Sequence, residues 1–268
     1  MIELTAGNVK SAMRDVSAGS SDLWKVPLGD LHVIDGFNVR VGTSEHREHV
    51  EALAKSISEN GFYQSKPLAG YVALVSGKQV IYVTDGHCRL EATRKAIERG
   101  ADIKVLPVVV SPKGTSMEDL TVALVISNNG KPLSLYETGL VCKRLVGYGW
   151  DEKEVAKRLG MQPPRVADLL DLVAAPKEVR SLVISGAVSA SQAIETLKKH
   201  GENAGAKLKA GVDKAEKSGK KKATKKHIDD KPTCRAVVKE LLAWAKVQVS
   251  MPDSTMEQIV KMAREASA

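Results

Sequence analysis

Val50, Leu53, Ala54 and Ile57 recur at three- and four-residue intervals behind Thr43 and Ser44. That spacing predicts a helix with one buried face, capped at its start and stopped by Asn60-Gly61. The pattern then changes period. Leu68 to Val75 and Gln79 to Val83 are short apolar runs joined by Ser76-Gly77-Lys78, which reads as strand, tight turn and strand. Leu90 to Arg99 returns to helical spacing and ends at Gly100, and Val105 to Val110 is a further strand closed by Ser111-Pro112. These elements make a small α+β unit.

From Ser116 onward alternation disappears. Ser116 caps a helix with Glu118 and Asp119 in its first turn and Leu120, Ala123 and Leu124 facing inward. Helical segments follow at about Leu133 to Tyr148, Asp151 to Leu159, Pro164 to Val173, Lys177 to Ile184 and Ser189 to His200, parted by Gly, Pro or Ser. The expected organisation is a loose polar arm over 1–22, an α+β domain over 23–113 and a helical domain over 114–200. A Lys-rich flexible linker over 201–231 and a short helical segment over 232–268, suited to self-association, complete the chain.

The charge is concentrated. The net charge is +8, and the stretch from Gly205 to Lys231 holds ten lysines against Asp213, Glu216, Asp229 and Asp230, so the rest of the chain is close to neutral. Such a balance favours a polyanionic partner such as nucleic acid, and a basic tether serves equally as a solubilising spacer. Three scattered cysteines, Cys88, Cys142 and Cys234, exclude a disulfide framework and a paired-cysteine zinc site. No apolar run is long enough for a membrane span and no signal-peptide pattern is present, so the expectation is a cytoplasmic protein without a membrane partner.

The stretch from Thr84 to Ala92, TDGHCRLEA, brings glycine, histidine, cysteine and arginine together where a strand runs into a helix. A helix start with free N–H groups suits an anion; Gly86 permits close backbone approach and Arg89 offers a donor fork to a phosphate. Two other readings remain open on these residues. Cys88 beside His87 is a candidate nucleophile, or a half-buried small cysteine. A metal site is disfavoured because neighbouring side chains at a helix start diverge, and His46 and His49 sit with Glu45 and Glu48 on a polar helix face.

Between Glu152 and Leu170, Ala156, Gly160 and Val166 occupy the positions where a helix-turn-helix wants a small residue, a turn glycine and a β-branched core residue. The second helix of such a motif enters the major groove, which makes Gln162, Arg165 and Asp168 the candidates for base contact and Lys153 a further DNA-contacting residue. Two carboxylates on that face, Asp168 and Asp171, leave a protein-binding role open.

In order and spacing these motifs resemble the ParB family of partition proteins, in particular its divergent phage and mobile-element members, over roughly Leu23 to His200. Phe37-Asn38-Val39-Arg40 resembles the first arginine-bearing box. Ala54 to Gln64 resembles the helix and Gly-x-x-Gln stretch, and Asp85 to Ala92 the phosphate-binding box. Pro132 to Glu137, Trp150 to Leu172 and Ser189 to Ala193 resemble the DNA-binding domain. The resemblance implies an α+β fold: a small ParB-like, sulfiredoxin-like N-terminal domain followed by an all-α helix-turn-helix domain and a short helical tail. It also implies binding of cytidine triphosphate (CTP) with magnesium through Gly61, Gln64, Gly86, His87, Cys88, Arg89, Asn128 and Asn129, with Lys131 nearby. The implied partners are double-stranded DNA, a second copy of the chain and a partition ATPase; the implied roles are partition or transcriptional control.

Two departures stand out. Cys88 replaces the first arginine of the phosphate box. Ile126-Ser127-Asn128-Asn129-Gly130 lacks the glutamate and arginine of the family's Glu-Asn-x-x-Arg segment, which implies nucleotide binding with weak or absent hydrolysis. The competing readings are a nuclease or Cys88-dependent thiol enzyme on the same scaffold, and a protein-interaction adaptor. Sulfiredoxins carry a reactive cysteine in a Gly-Cys-His-Arg box, whereas the order here is Gly-His-Cys-Arg.

Overall fold

A computed structural model describes residues 23–128 and 131–228, which fall into two compact units parting between Ala175 and Pro176. The expected arm over 1–22 and the tail over 232–268 lie outside the described residues.

The first unit is built on a five-stranded mixed sheet of order β1-β5-β3-β4-β2. Its strands are β1 (Leu23–Pro27), β2 (Leu31–Val33), β3 (Leu68–Val75), β4 (Lys78–Asp85) and β5 (Val105–Val110). The β3–β4 turn has Ser76 at φ 50° and Gly77 at φ 80°. Two positive φ values in a two-residue loop match the twist of the strands they join, which fixes the hairpin register. Helix α1 (Ser44–Asn60) packs on α2 (His87–Glu98) through Val50, Ala54, Ile57, Ala92 and Ala96. Val26, Leu31, Leu68, Val83, Leu90, Leu106 and Val108 form the core of the sheet.

Helices α3 (Met117–Ile126), α4 (Leu135–Gly147), α5 (Glu152–Leu159) and α6 (Pro163–Ala174) complete this unit. Their core also takes in Phe37 and Val39, from the loop after β2, beside Leu124, Val141, Leu145, Val155, Val166 and Leu169. The boundary expected at 113/114 therefore falls inside one compact unit. Arg144 of α4 fastens that loop, donating to the carbonyls of Phe37 at 2.8 Å and Gly36 at 2.6 Å.

The second unit holds α7 (Lys177–Ile184), α8 (Ala190–His200), α9 (Ala204–Lys217) and the short α10 (Lys225–Ile228). Here the structure corrects the flexible linker expected over 201–231, because α9 occupies its centre. Ala204, Gly205, Leu208, Gly211, Val212 and Ala215 are buried along one face. The apolar stripe is real, but it is written mostly in alanine and glycine. Gly211 allows a close approach: a Cβ there would lie 2.7 Å from Ile228 Cγ1 of α10.

Candidate functional site

Helix α2, like α6, starts without a side-chain cap, and it alone of the two has a left-handed glycine at that position. Helices α1, α3, α4 and α5 are capped by the side chains of Thr43, Ser116, Ser134 and Asp151, whereas the residue before α2 is Gly86, at φ 89°, with no side-chain cap. The first-turn N–H groups of α2 are thus left to other acceptors, at the positive end of the helix. Only glycine fits here, since a Cβ would sit 2.5 Å from Leu68 Cδ2 and 3.0 Å from Arg89 Nη2, in a left-handed backbone conformation.

This helix start opens into a cleft of about 360 Å³, lined among others by Arg40, His49, Lys66, Asp85, Asn128 and Lys131. Gly86, His87, Cys88 and Arg89 line it too, so five of the eight expected nucleotide-binding residues converge. Gly61 and Gln64 do not line it: Gly61, at φ 75°, closes α1 by donating to the Ile57 carbonyl at 2.9 Å, and Gln64 is exposed. Asn129 lies outside the described residues.

The cations of the cleft are held in place. Arg89 donates through Nη1 to the carbonyls of Lys66 and, at 2.7 Å, Pro67, and through Nη2 to Asp85 at 3.3 Å. An anion at the α2 start must compete with the Asp85 carboxylate for this guanidinium. Arg40 is the residue that sequence reasoning left out of the site, although it stands in the quoted Phe37 to Arg40 box. It donates to Pro132 O and Asn128 Oδ1, both at 3.0 Å, and to Lys131 O. It also pairs with Glu137 at 3.6 Å, both side chains being buried. Glu137 meanwhile accepts from Val41 N and Ser134 N, each at 2.8 Å, and completes the capping box of α4.

Burial lowers the His87 pKa below its ordinary 6.5, against the raising influence of Asp85 and the Val83 carbonyl. The ring is therefore neutral at pH 7, and its buried Nε2 has no hydrogen-bond partner. Burial is also the largest influence on Cys88, pushing its thiol above 9.0 against the lowering effect of Arg40. That direction opposes a thiolate nucleophile. Among the described residues no three His, Cys, Asp or Glu side chains cluster as a metal site, and no helix is long and apolar enough to cross a membrane.

The second constellation is α5, a three-residue turn and α6. Gly160 at φ 67° ends α5, donating to the Ala156 carbonyl, and Pro163 is the first residue of α6. Ala156, Val166 and Leu169 are buried where the two helices meet. Lys153 and Gln162 are exposed, while Arg165 and Asp168 are half-buried.

Two helices crossing through a small residue, a left-handed glycine and a buried valine define a helix-turn-helix protein. Residues 132–230 match the family model described as the ParB HTH domain, so this segment is a helix-turn-helix domain of the ParB type. Among solved structures, the C-terminally truncated chromosome-partitioning protein ParB from Caulobacter crescentus complexed to the centromeric parS site is similar. It is 19% identical, covering 72% of this chain and 92% of that one, with a TM-score of 0.46. The same protein complexed with CTP-gamma-S is 20% identical, covering 73% and 98%, with a TM-score of 0.32. No curated protein matches the chain.

Proposed function

We propose that this chain is a partition-type DNA-binding protein whose grip on double-stranded DNA responds to a bound nucleotide. The observation that carries it is the helix-turn-helix inside the matched segment: α6 is presented on a glycine turn with Gln162 and Arg165 at its N-terminal end, the end that meets base edges in such motifs. Arg165 is suited to guanine, Asp168 to a cytosine amino group, and Lys153 to backbone phosphate.

The nucleotide part of the reading rests on the cleft. An uncapped helix start, Arg89 and Arg40, with Lys66 and Lys131 on the rim, supply donors for a triphosphate, and neutral His87 keeps an unused ring nitrogen. CTP with magnesium is the nucleotide the family resemblance suggests. The metal would ride on the phosphates, as magnesium commonly does when a protein lacks a dedicated cage. With neither glutamate nor arginine in the Ile126 to Gly130 segment, binding with little or no hydrolysis is the expected behaviour.

The test incubates the purified protein with fragmented host and element DNA, with and without CTP and magnesium, and sequences the retained fragments. Enrichment of one short site, with nucleotide-dependent spreading around it, supports the reading. Uniform retention irrespective of sequence and nucleotide refutes it.

A further inference from the structure

The segment from Ala204 to Ile228 carries nine lysines against Asp213 and Glu216, and it is folded. Lys207 and Lys214 lie seven residues apart on one flank of α9 and Lys217 stands on the outer side of that flank, one turn from Asp213, while Glu216 falls on the far flank with Lys209. The helix then ends in a double cap: Gly219 donates to the Glu216 carbonyl and Lys220 to the Ala215 carbonyl, both at 2.9 Å, with Gly219 at φ 74°. This pair of bonds is the Schellman arrangement. Three residues later Ala223, itself buried, donates to the Ala187 carbonyl at 2.8 Å. The exposed triplet Lys220-Lys221-Lys222 is therefore pinned at both ends, and extends the basic flank of α9 past its C-terminus.

We infer that this flank, Lys207, Lys214, Lys217 and Lys220 to Lys222, is a second DNA-contacting surface that grips duplex backbone phosphate without reading sequence. The inference rests on the DNA-binding reading above, but concerns residues outside the helix-turn-helix. Side-chain chemistry selects the ligand. Residues 201–228 contain no Phe, Tyr or Trp to stack on splayed bases, which disfavours single strands, and no Arg to bridge a guanine edge. Lysines are point charges on long stems, suited to phosphates, and anchoring their backbone lowers the ordering cost of binding. The surface also lies within the segment matched to the ParB HTH domain.

The test replaces Lys207, Lys217, Lys220, Lys221 and Lys222 with Gln in the full chain. Binding is measured to a duplex carrying the selected site, to a scrambled duplex and to a single-stranded RNA across a salt series. All five side chains are exposed, so circular dichroism and thermal unfolding should match the parent. Affinity for both duplexes should fall at least about tenfold and by similar factors, with the salt slope shallower by about 0.9 for each phosphate no longer neutralised. The five-fold Lys→Arg variant should keep parental affinity.

Unchanged duplex affinity and slope would overturn the inference, as would a loss confined to the selected site or to RNA. The two readings fail separately. If the parent prefers no duplex, yet its salt-sensitive retention of duplex is lost in the Gln variant, the proposed function falls and this surface stands.

Discussion

Gly139, in the middle of α4, faces α6 so closely that a Cβ there would lie 2.7 Å from Val173 Cγ2 and 2.8 Å from the Leu169 carbonyl oxygen. The second contact decides the outcome, because a backbone oxygen in α6 cannot rotate away. Gly139→Ala gains about 1 kcal/mol of helix propensity, while overpacking of this kind costs about 1–3 kcal/mol, more where backbone must move. Relief of the overlap requires α6 to shift away from α4 by several tenths of an ångström. The expected net destabilisation is about 1–2 kcal/mol, a fall in Tm of roughly 2–8 °C for a unit of this size. Sequence-specific DNA binding should weaken beyond what this loss explains, since base contacts tolerate little displacement of the reading helix.

Gly147, at the end of the same helix, has no atom within 4 Å of an added Cβ. Gly147→Ala should therefore be neutral or stabilising by up to about 1 kcal/mol. Thermal unfolding and DNA titration of the two variants side by side provide the assay. If Gly139→Ala is as stable as Gly147→Ala and binds DNA like the parent, the close approach of α4 and α6 does not constrain the reading helix.

Arg165→Ala should weaken binding to the selected site by about 1–3 kcal/mol and relax preference at one base position, measured by binding to a panel of single-base variants; equal affinity for the whole panel in parent and variant refutes the assignment. Arg89→Ala should abolish CTP binding in calorimetry, and retained binding refutes a nucleotide-binding role for Arg89. Arg40→Ala leaves the Glu137 carboxylate buried without its cation and should cost about 3–5 kcal/mol in unfolding, whereas the double change with Glu137→Gln should recover much of that loss. Burial lowers the pKa values of His46, His49 and His87 from 6.5. The unfolded chain therefore takes up protons first, and stability is full above that value and lost as pH falls through it. Tm measured at descending pH should drop below about pH 6.5, by less in His87→Asn, and a flat profile counts against these shifts.

Much of this architecture was legible because its signals are local. The Val50 to Ile57 periodicity, the Ser76-Gly77 turn and the Ala156, Gly160 and Val166 spacing each belong to one element and survive into the structure. Strands β1 and β2 escaped notice because five residues ending in proline and three residues pairing with β4 are too short to show a period. Helix α9 was missed for another reason: its buried face is largely Ala and Gly, small enough for close packing but weak on any hydrophobic scale. The cleft was half legible. Gly86 to Arg89 are contiguous, but the meeting of Arg40, Asn128 and Glu137 joins residues about ninety positions apart, and no local pattern announces it.

The loop carrying Phe37 and Val39 has a consequence for how such a protein can be recombined. Because those two side chains fill the same core as Val155, Val166 and Leu169, the reading head is not a cartridge. A hybrid that imports a foreign α4 to α6 behind this sheet must also import a matching loop, with a partner for Arg144 and a carboxylate where Glu137 meets Arg40. Exchange of DNA specificity in this lineage should thus proceed by substitutions on the outer face of α6, or by transfer of the whole segment from the β2 loop through Ala175.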